Sequence, residues 1–185
     1  MAKLYSLAFI LLVYVNLFEG NSSFAQTSRA DESLVQSKFS TNFPKDTLLI
    51  YKYRKLAQQN LYFDADKAVL YSQQILRLAQ KHQWSKGKIM AYDLLCTYYI
   101  IDGSYDILRE ISNEMLILSQ KENLPLYTAS AKRFLGESAA EYKQFDLSFA
   151  NFQSAFKIYN DMKQDSSKAA CLENIGNFYR EKLEY

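Results

Sequence analysis

Between residues 92 and 99 the apolar side chains fall at i, i+3, i+4 and i+7: Tyr92, Leu95, Cys96 and Tyr99. That spacing is one face of an α-helix. Asp102, Gly103 and Ser104 then form a turn signal, and a second stripe follows at Ile107, Leu108, Ile111, Met115 and Leu118. Asn123-Leu124-Pro125 closes the pair, because proline cannot continue a helix but can open the next. Pro44 has the same role before the first pair. The pattern returns with a shift of 40 positions. Leu95, Leu135 and Ile175 form one column, and Cys96, Gly136 and Gly176 the next. Tyr105, Phe145 and Tyr185 follow, with Asp66, Asp106 and Asp146, and Leu78, Leu118 and Ile158. One register held across so many columns marks a tandem repeat, whose units bury their apolar faces on one another. The recurring aspartate suits a helix start, where a carboxylate meets free N–H groups and the positive dipole end. The sequence therefore predicts an all-α array of helix pairs, about 3.5 repeats. The units are placed at about 49–88, 89–128 and 129–168, with an incomplete one at 169–185.

The first 45 residues lie outside this pattern. Lys3 precedes an apolar run, Leu7–Val15, and a Ser23-Phe24-Ala25 site. These are the three parts of a secretory signal peptide, with cleavage expected between Ala25 and Gln26. The run is too short for a bilayer span, which needs about 20 apolar residues. No second long apolar segment follows, so no membrane span is expected in the mature segment. Residues 26–45 are rich in Ser, Thr, Asn and Asp and read as a flexible lead-in, with a short helix near Ser33–Phe39. The expected destination is periplasmic or extracellular.

With 2 prolines and 5 glycines in 185 residues, long helices are permitted almost everywhere. The net charge of +2 is interleaved rather than concentrated, so there is no electrostatic case for nucleic acid. His82 is the only histidine and lies beside Trp84 in an inter-repeat linker, where packing or capping is expected. Neither metal-ligand spacing, a phosphate loop nor a nucleophile–base set appears. No catalytic, cofactor or metal residue is assigned, and the chain is not expected to be an enzyme. The tyrosines in repeat columns, among them Tyr92, Tyr99, Tyr105, Tyr179 and Tyr185, are read as core. Cys96 and Cys171 belong to non-adjacent units. An oxidising compartment notwithstanding, they are expected to stay unpaired, since a disulfide needs Cα atoms within about 7 Å.

The residues Leu95, Cys96, Tyr99, Gly103 and Tyr105, then Leu135, Gly136, Phe145, Phe152 and Ala155, then Ile175, Gly176, Tyr179 and Tyr185, resemble the tetratricopeptide repeat. The resemblance covers residues 46–185. The family's period is about 34. The longer period here is similar to the variant found in bacterial signalling and regulatory proteins. The added residues are assigned to linkers at Gln80–Gly87, Gln120–Leu126 and Asn160–Ser167. The resemblance implies a right-handed α–α solenoid in which small residues after the leucine column let helices approach and aromatics fill the space beside them. It also implies a concave partner-binding face on the first helix of each unit. By register this face comprises Asp93 and Thr97; Arg133, Glu137 and Glu141; and Glu173, Asn177 and Arg180. Its mixed signs differ from the basic set with which family members clamp a terminal carboxylate. The expected function is an exported, non-enzymatic protein- or peptide-interaction module. An alternative is the extracytoplasmic input region of a sensor histidine kinase or membrane-bound transcription regulator. The fourth unit has one helix only. The array is expected either to continue beyond Tyr185 or to dock this end on another chain, self-association included.

Overall fold

The computed structural model describes residues 43–183. The signal segment, its cleavage point and the short helix expected near residues 33–39 lie outside the described residues. Among the described residues there are seven α-helices and no strand. They are α1 (Phe43–Asn60), α2 (Ala65–Lys81), α3 (Ser85–Asp102), α4 (Tyr105–Lys121), α5 (Pro125–Glu141), α6 (Phe145–Asp161) and α7 (Asp165–Leu183). Each helix packs against the next along the chain, which makes an α-solenoid of helix pairs.

The two rows of helices are built differently. The second helices are amphipathic and bury one stripe at i, i+4, i+7 and i+11. In α4 this stripe is Leu108, Ser112, Met115 and Ser119; in α6 it is Ser148, Phe152, Ala155 and Tyr159. The middle first helices, α3 and α5, are buried on two sides, because each lies between its own partner and the preceding pair. Along α3, residues Ile89 to Tyr92, Leu94 to Cys96 and Tyr99 are all covered. Helices α1, α3, α5 and α7 also touch one another in succession, whereas no second helix touches another second helix. The first helices thus form the closer, inner row of a curved stack.

Five of the six turns between the described helices follow one rule. Gln83, Gly103, Asn123, Lys143 and Lys163 all take the left-handed conformation, with φ between 51° and 76°. After each of them an N–H reaches back five residues, as from Leu124 to the Ser119 carbonyl at 2.9 Å and from Gln144 to Ala139 at 2.9 Å. These are Schellman closures, which satisfy carbonyls left over at a helix end.

Several boundaries differ from the sequence expectation. Phe43, Pro44 and Lys45 belong to the first turn of α1 rather than to a flexible lead-in. The second, third and fourth units start at Ser85, Pro125 and Asp165, earlier than the expected 89, 129 and 169. The extra length of the repeat is not linker: Pro125–Glu141 and Phe145–Asp161 are 17-residue helices, and the connections between pairs are as short as those within them. The recurring Asp66, Asp106 and Asp146 sit inside the first helical turn and act on the dipole. A different carboxylate, Asp64, caps α2 through its side chain by accepting the Lys67 N–H at 3.2 Å.

Cys96 and Cys171 are free and buried, on α3 and α7, which do not touch. Burial pushes the Cys96 thiol up to about 12, so it stays protonated at neutral pH. His82 ends α2, and its Nε2 lies 2.6 Å from Asp46 Oδ2; Lys81 Nζ lies 3.1 Å from the same oxygen. Together they fasten the start of α1 to the end of α2. Trp84 packs edge-on against Tyr51 across the same junction. Tyr92 and Tyr99 are buried, Tyr105 is partly buried and Tyr179 is half-exposed.

Candidate partner-binding face

The inner row of helices carries a chain of polar side chains whose signs alternate. Asp93 on α3 is the centre. Its carboxyl accepts a hydrogen bond from Ser130 on α5 and lies in the field of Arg54 on α1 and Arg133 on α5. Burial nevertheless dominates and raises it above the ordinary aspartate value. Arg133 Nη1 reaches Glu137 Oε1 at 3.5 Å, one helical turn along α5. Asn174 Nδ2 on α7 donates to the same oxygen at 2.6 Å. Burial raises Glu137 as well, against the opposing effects of Arg133 and Asn174. Ser130 also pairs with the Tyr159 hydroxyl on α6 at 3.0 Å. The chain Arg54–Asp93–Ser130/Arg133–Glu137–Asn174 therefore crosses all four first helices.

This arrangement sorts the residues assigned from register. Asp93, Arg133 and Glu137 come together, partly buried and largely occupied with one another. Thr97 donates to the Asp93 carbonyl of its own helix at 2.9 Å and joins no ladder contact. Glu141 is exposed at the end of α5, near the Tyr105 and Tyr142 hydroxyls. Glu173 and Arg180 are exposed on α7, and Asn177 is partly buried there.

Three members of the ladder escaped the register argument: Arg54, Ser130 and Asn174. A signal for two of them exists. Arg54, Leu94, Phe134 and Asn174 form one column, apolar and buried in the middle units and polar in the outer ones. A polar residue in a core column marks a place where the core is replaced by a network. Arg54 is also the one residue among those described whose buried side-chain nitrogen, Nε, has no hydrogen-bond partner. Tyr127 lies in the field of Arg54 and Asp93, close to Tyr51. Arg54, Asp93 and Tyr127 thus share one electrostatic neighbourhood at the α1–α3–α5 end of the inner face.

Chemically, the face offers donors and acceptors to an extended polar chain. No group of three metal-ligating side chains gathers among the described residues, and no described helix is long and apolar enough to cross a membrane. Fold and face together define the class: an α-solenoid of helix pairs with a polar inner row. No protein-family model matches the chain, and no curated protein matches it.

Proposed function

We propose that this chain is a non-enzymatic protein- or peptide-binding module, built on repeats of the tetratricopeptide kind and presenting its inner row of helices to an exported partner. The observation that carries this reading is Arg54. A buried cationic donor without an acceptor costs roughly 1–3 kcal/mol. The rest of the guanidinium belongs to a half-buried residue and can pair with a carboxylate of an incoming segment. Tyr51 and Tyr127 beside it offer ring surface of the kind enriched at interfaces. Asp93 and Glu137 are held in place by neighbours on the adjacent helices and fix the spacing of the row, while exposed Glu141, Glu173 and Arg180 extend it with mixed charge.

Screening the chain against a displayed random-peptide library tests this. Enriched peptides are expected to share an acidic side chain. Arg54→Gln is expected to weaken them at least tenfold, in the range of a lost charged hydrogen bond, and Glu141→Gln to leave them nearly unchanged. No enrichment over an unrelated helical protein, or binding indifferent to Arg54 and Arg133, would rule the reading out.

A further inference from the structure

The turns within pairs lie at one edge of the stack and the turns between pairs at the other, because short turns join helices that pack side by side. The two edges differ in charge. Residues 62–67, 102–107 and 142–147 hold five carboxylates and two lysines; residues 82–87, 122–127 and 162–167, on the opposite edge, hold two of each. The first edge also exposes apolar surface, with Phe63 at 91%, Tyr62 at 74% and Ile101 at 49%. An edge both acidic and apolar is complementary to a partner both basic and apolar.

The junction between the second and third pairs shows how this edge holds a cation. Arg109 on α4 lays its guanidinium over the Tyr142 ring, 5.2 Å from the centroid, and reaches Asp106 Oδ1 at 3.2 Å. Forty positions earlier, between the first and second pairs, Asp66 stands for Asp106, Asp102 for Tyr142 and Val69 for Arg109. A carboxylate is gained there and the guanidinium is gone. Asp66 and Asp102 both lie in the field of the Tyr98 hydroxyl, which donates to Asp102, as does Ser104. Among the described residues no lysine or arginine pairs with either carboxylate, and Lys67 beside them is taken by Asp64 at 2.6 Å. Two carboxylates are too few for a hard metal ion, which takes about six to eight oxygen ligands. We propose that this junction is a second docking site, for an arginine-bearing segment of a partner protein. The guanidinium pairs with Asp66 and Asp102, in the place that Arg109 fills one unit on, where its planar fork of donors matches the carboxylates. Apolar residues beside that arginine lie against Phe63 and Ile101, in the same two turns. The site shares no residue with the inner row and does not depend on what that row binds.

The probe is an amide-capped peptide in which two arginines alternate with three leucines, so that it carries no carboxylate. Titrated against the full chain at low salt, it is expected to bind with an affinity between micromolar and millimolar. Binding should weaken severalfold by about 0.5 M salt, because exposed charges are screened. Asp66→Asn with Asp102→Asn is expected to weaken it at least tenfold. Phe63→Ser should weaken it severalfold, and the exposure of Phe63 leaves the core untouched. Val69→Arg copies the guanidinium of the next junction into this one and is expected to exclude the peptide, again at least tenfold, in a chain whose helicity circular dichroism would verify. Arg54→Gln should leave binding as it is. The proposal is overturned if the peptide does not bind below millimolar concentration, or if a peptide with glutamines for arginines binds as well. It is overturned if the double Asn variant and Val69→Arg both bind like wild type, or if Arg54→Gln abolishes binding, which would place the peptide on the inner row. It also fails if the chain sediments as a dimer that Phe63→Ser dissociates, since a second copy would then be the occupant.

Discussion

Helices α5 and α7 carry the same motif and live in different surroundings. Both have an aliphatic residue followed by glycine, Leu135-Gly136 and Ile175-Gly176. On α5 the glycine is a packing necessity, with an aromatic ring 2.6 Å from where a Cβ would stand; on α7 it faces open space. The energetic meaning of a repeat column is therefore set by the neighbour that covers it and not by the residue in it. The second pair adds a third case. There the column residues are Cys96 and Ser112, whose Sγ and Oγ lie 3.4 Å apart. Where one partner gains side-chain volume, Gly136 to Cys96, the other loses it, Phe152 to Ser112. The two changes run in opposite directions and partly offset each other, as close-packed interiors require.

The largest break in this comparison is Phe152→Ala. Removing a fully covered phenylalanine is expected to cost about 3–5 kcal/mol, whereas Tyr179→Ala on the half-exposed face should cost under about 1 kcal/mol. Urea denaturation followed by circular dichroism measures both. The exchange pair Gly136→Cys with Phe152→Ser sharpens the point by copying the second unit into the third. The double variant is expected to be at least about 1 kcal/mol more stable than the sum of its singles predicts, within the usual range for touching residues. Strict additivity would show that the two positions do not share one volume.

A second comparison is between buried carboxylates. Burial pushes Asp46 up, but hydrogen bonds from His82 and Lys81, with their charges, outweigh it and hold it below 3.8. A depressed value in the folded state adds stability above the unfolded pKa, and that stability is lost as pH falls through the folded one. Asp93 and Glu137 have the opposite sign: burial raises them above 3.8 and 4.5. The folded state then holds their protons more tightly, so stability falls as pH rises through their titration above those values. Asp46→Asn is expected to cost about 3 kcal/mol at neutral pH, the typical price of removing one partner from a buried ion pair, and to flatten the loss of stability below pH 3.8. Asp93→Asn with Glu137→Gln is expected to flatten the decline on the alkaline side of 4.5. Unfolding free energies measured across pH 2.5–8 with each variant, at fixed salt, check both signs; the ladder reading fails if the double variant keeps the wild-type slope.

The glycines give the next contrast. Gly136→Ala is expected to destabilise by about 2 kcal/mol through overpacking against Phe152, and Gly176→Ala to stabilise by up to about 1 kcal/mol, the intrinsic helix preference of alanine. Thermal melts of the two single variants should move in opposite directions. A shift of the same sign in both would mean that the face of α7 is covered after all.

Much of this fold was legible because helical spacing tolerates substitution. The stripe at 108, 112, 115 and 119 keeps its register although two of its four members are serines, and the period survives the change from Ile75 to Met115 to Ala155. The unit starts were displaced because the turns lack the residues that announce turns. Gly103 and Asn123 have the expected chemistry; Gln83, Lys143 and Lys163 read as helix formers. The candidate face was legible where one helix supplies the spacing, as for Arg133 and Glu137. It was illegible where pairing runs between helices: Arg54 to Asp93 and Asn174 to Glu137 depend on how units stack. Thr97 shows the converse, a residue in the right register whose hydroxyl turns back to its own backbone.

The smallest effect tests the turns themselves. Left-handed backbone costs an L-residue roughly 1 kcal/mol relative to glycine, and Asn is the side-chain-bearing residue that bears it best. Gly103 and Lys143 occupy equivalent turns, at φ 76° and 55°, one relaxed and one strained. Lys143→Gly is therefore expected to stabilise by about 0.5–1 kcal/mol, Lys163→Gly by a similar amount and Asn123→Gly by less. Gly103→Lys should cost what Lys143→Gly gains, because nothing within 4 Å of Gly103 would oppose the side chain and only backbone strain is left to register. Denaturation midpoints at constant m-value measure these differences. If Lys143→Gly destabilises instead, the lost contacts of the Lys143 side chain outweigh the backbone gain, and the equivalence of the two turns would hold for geometry alone.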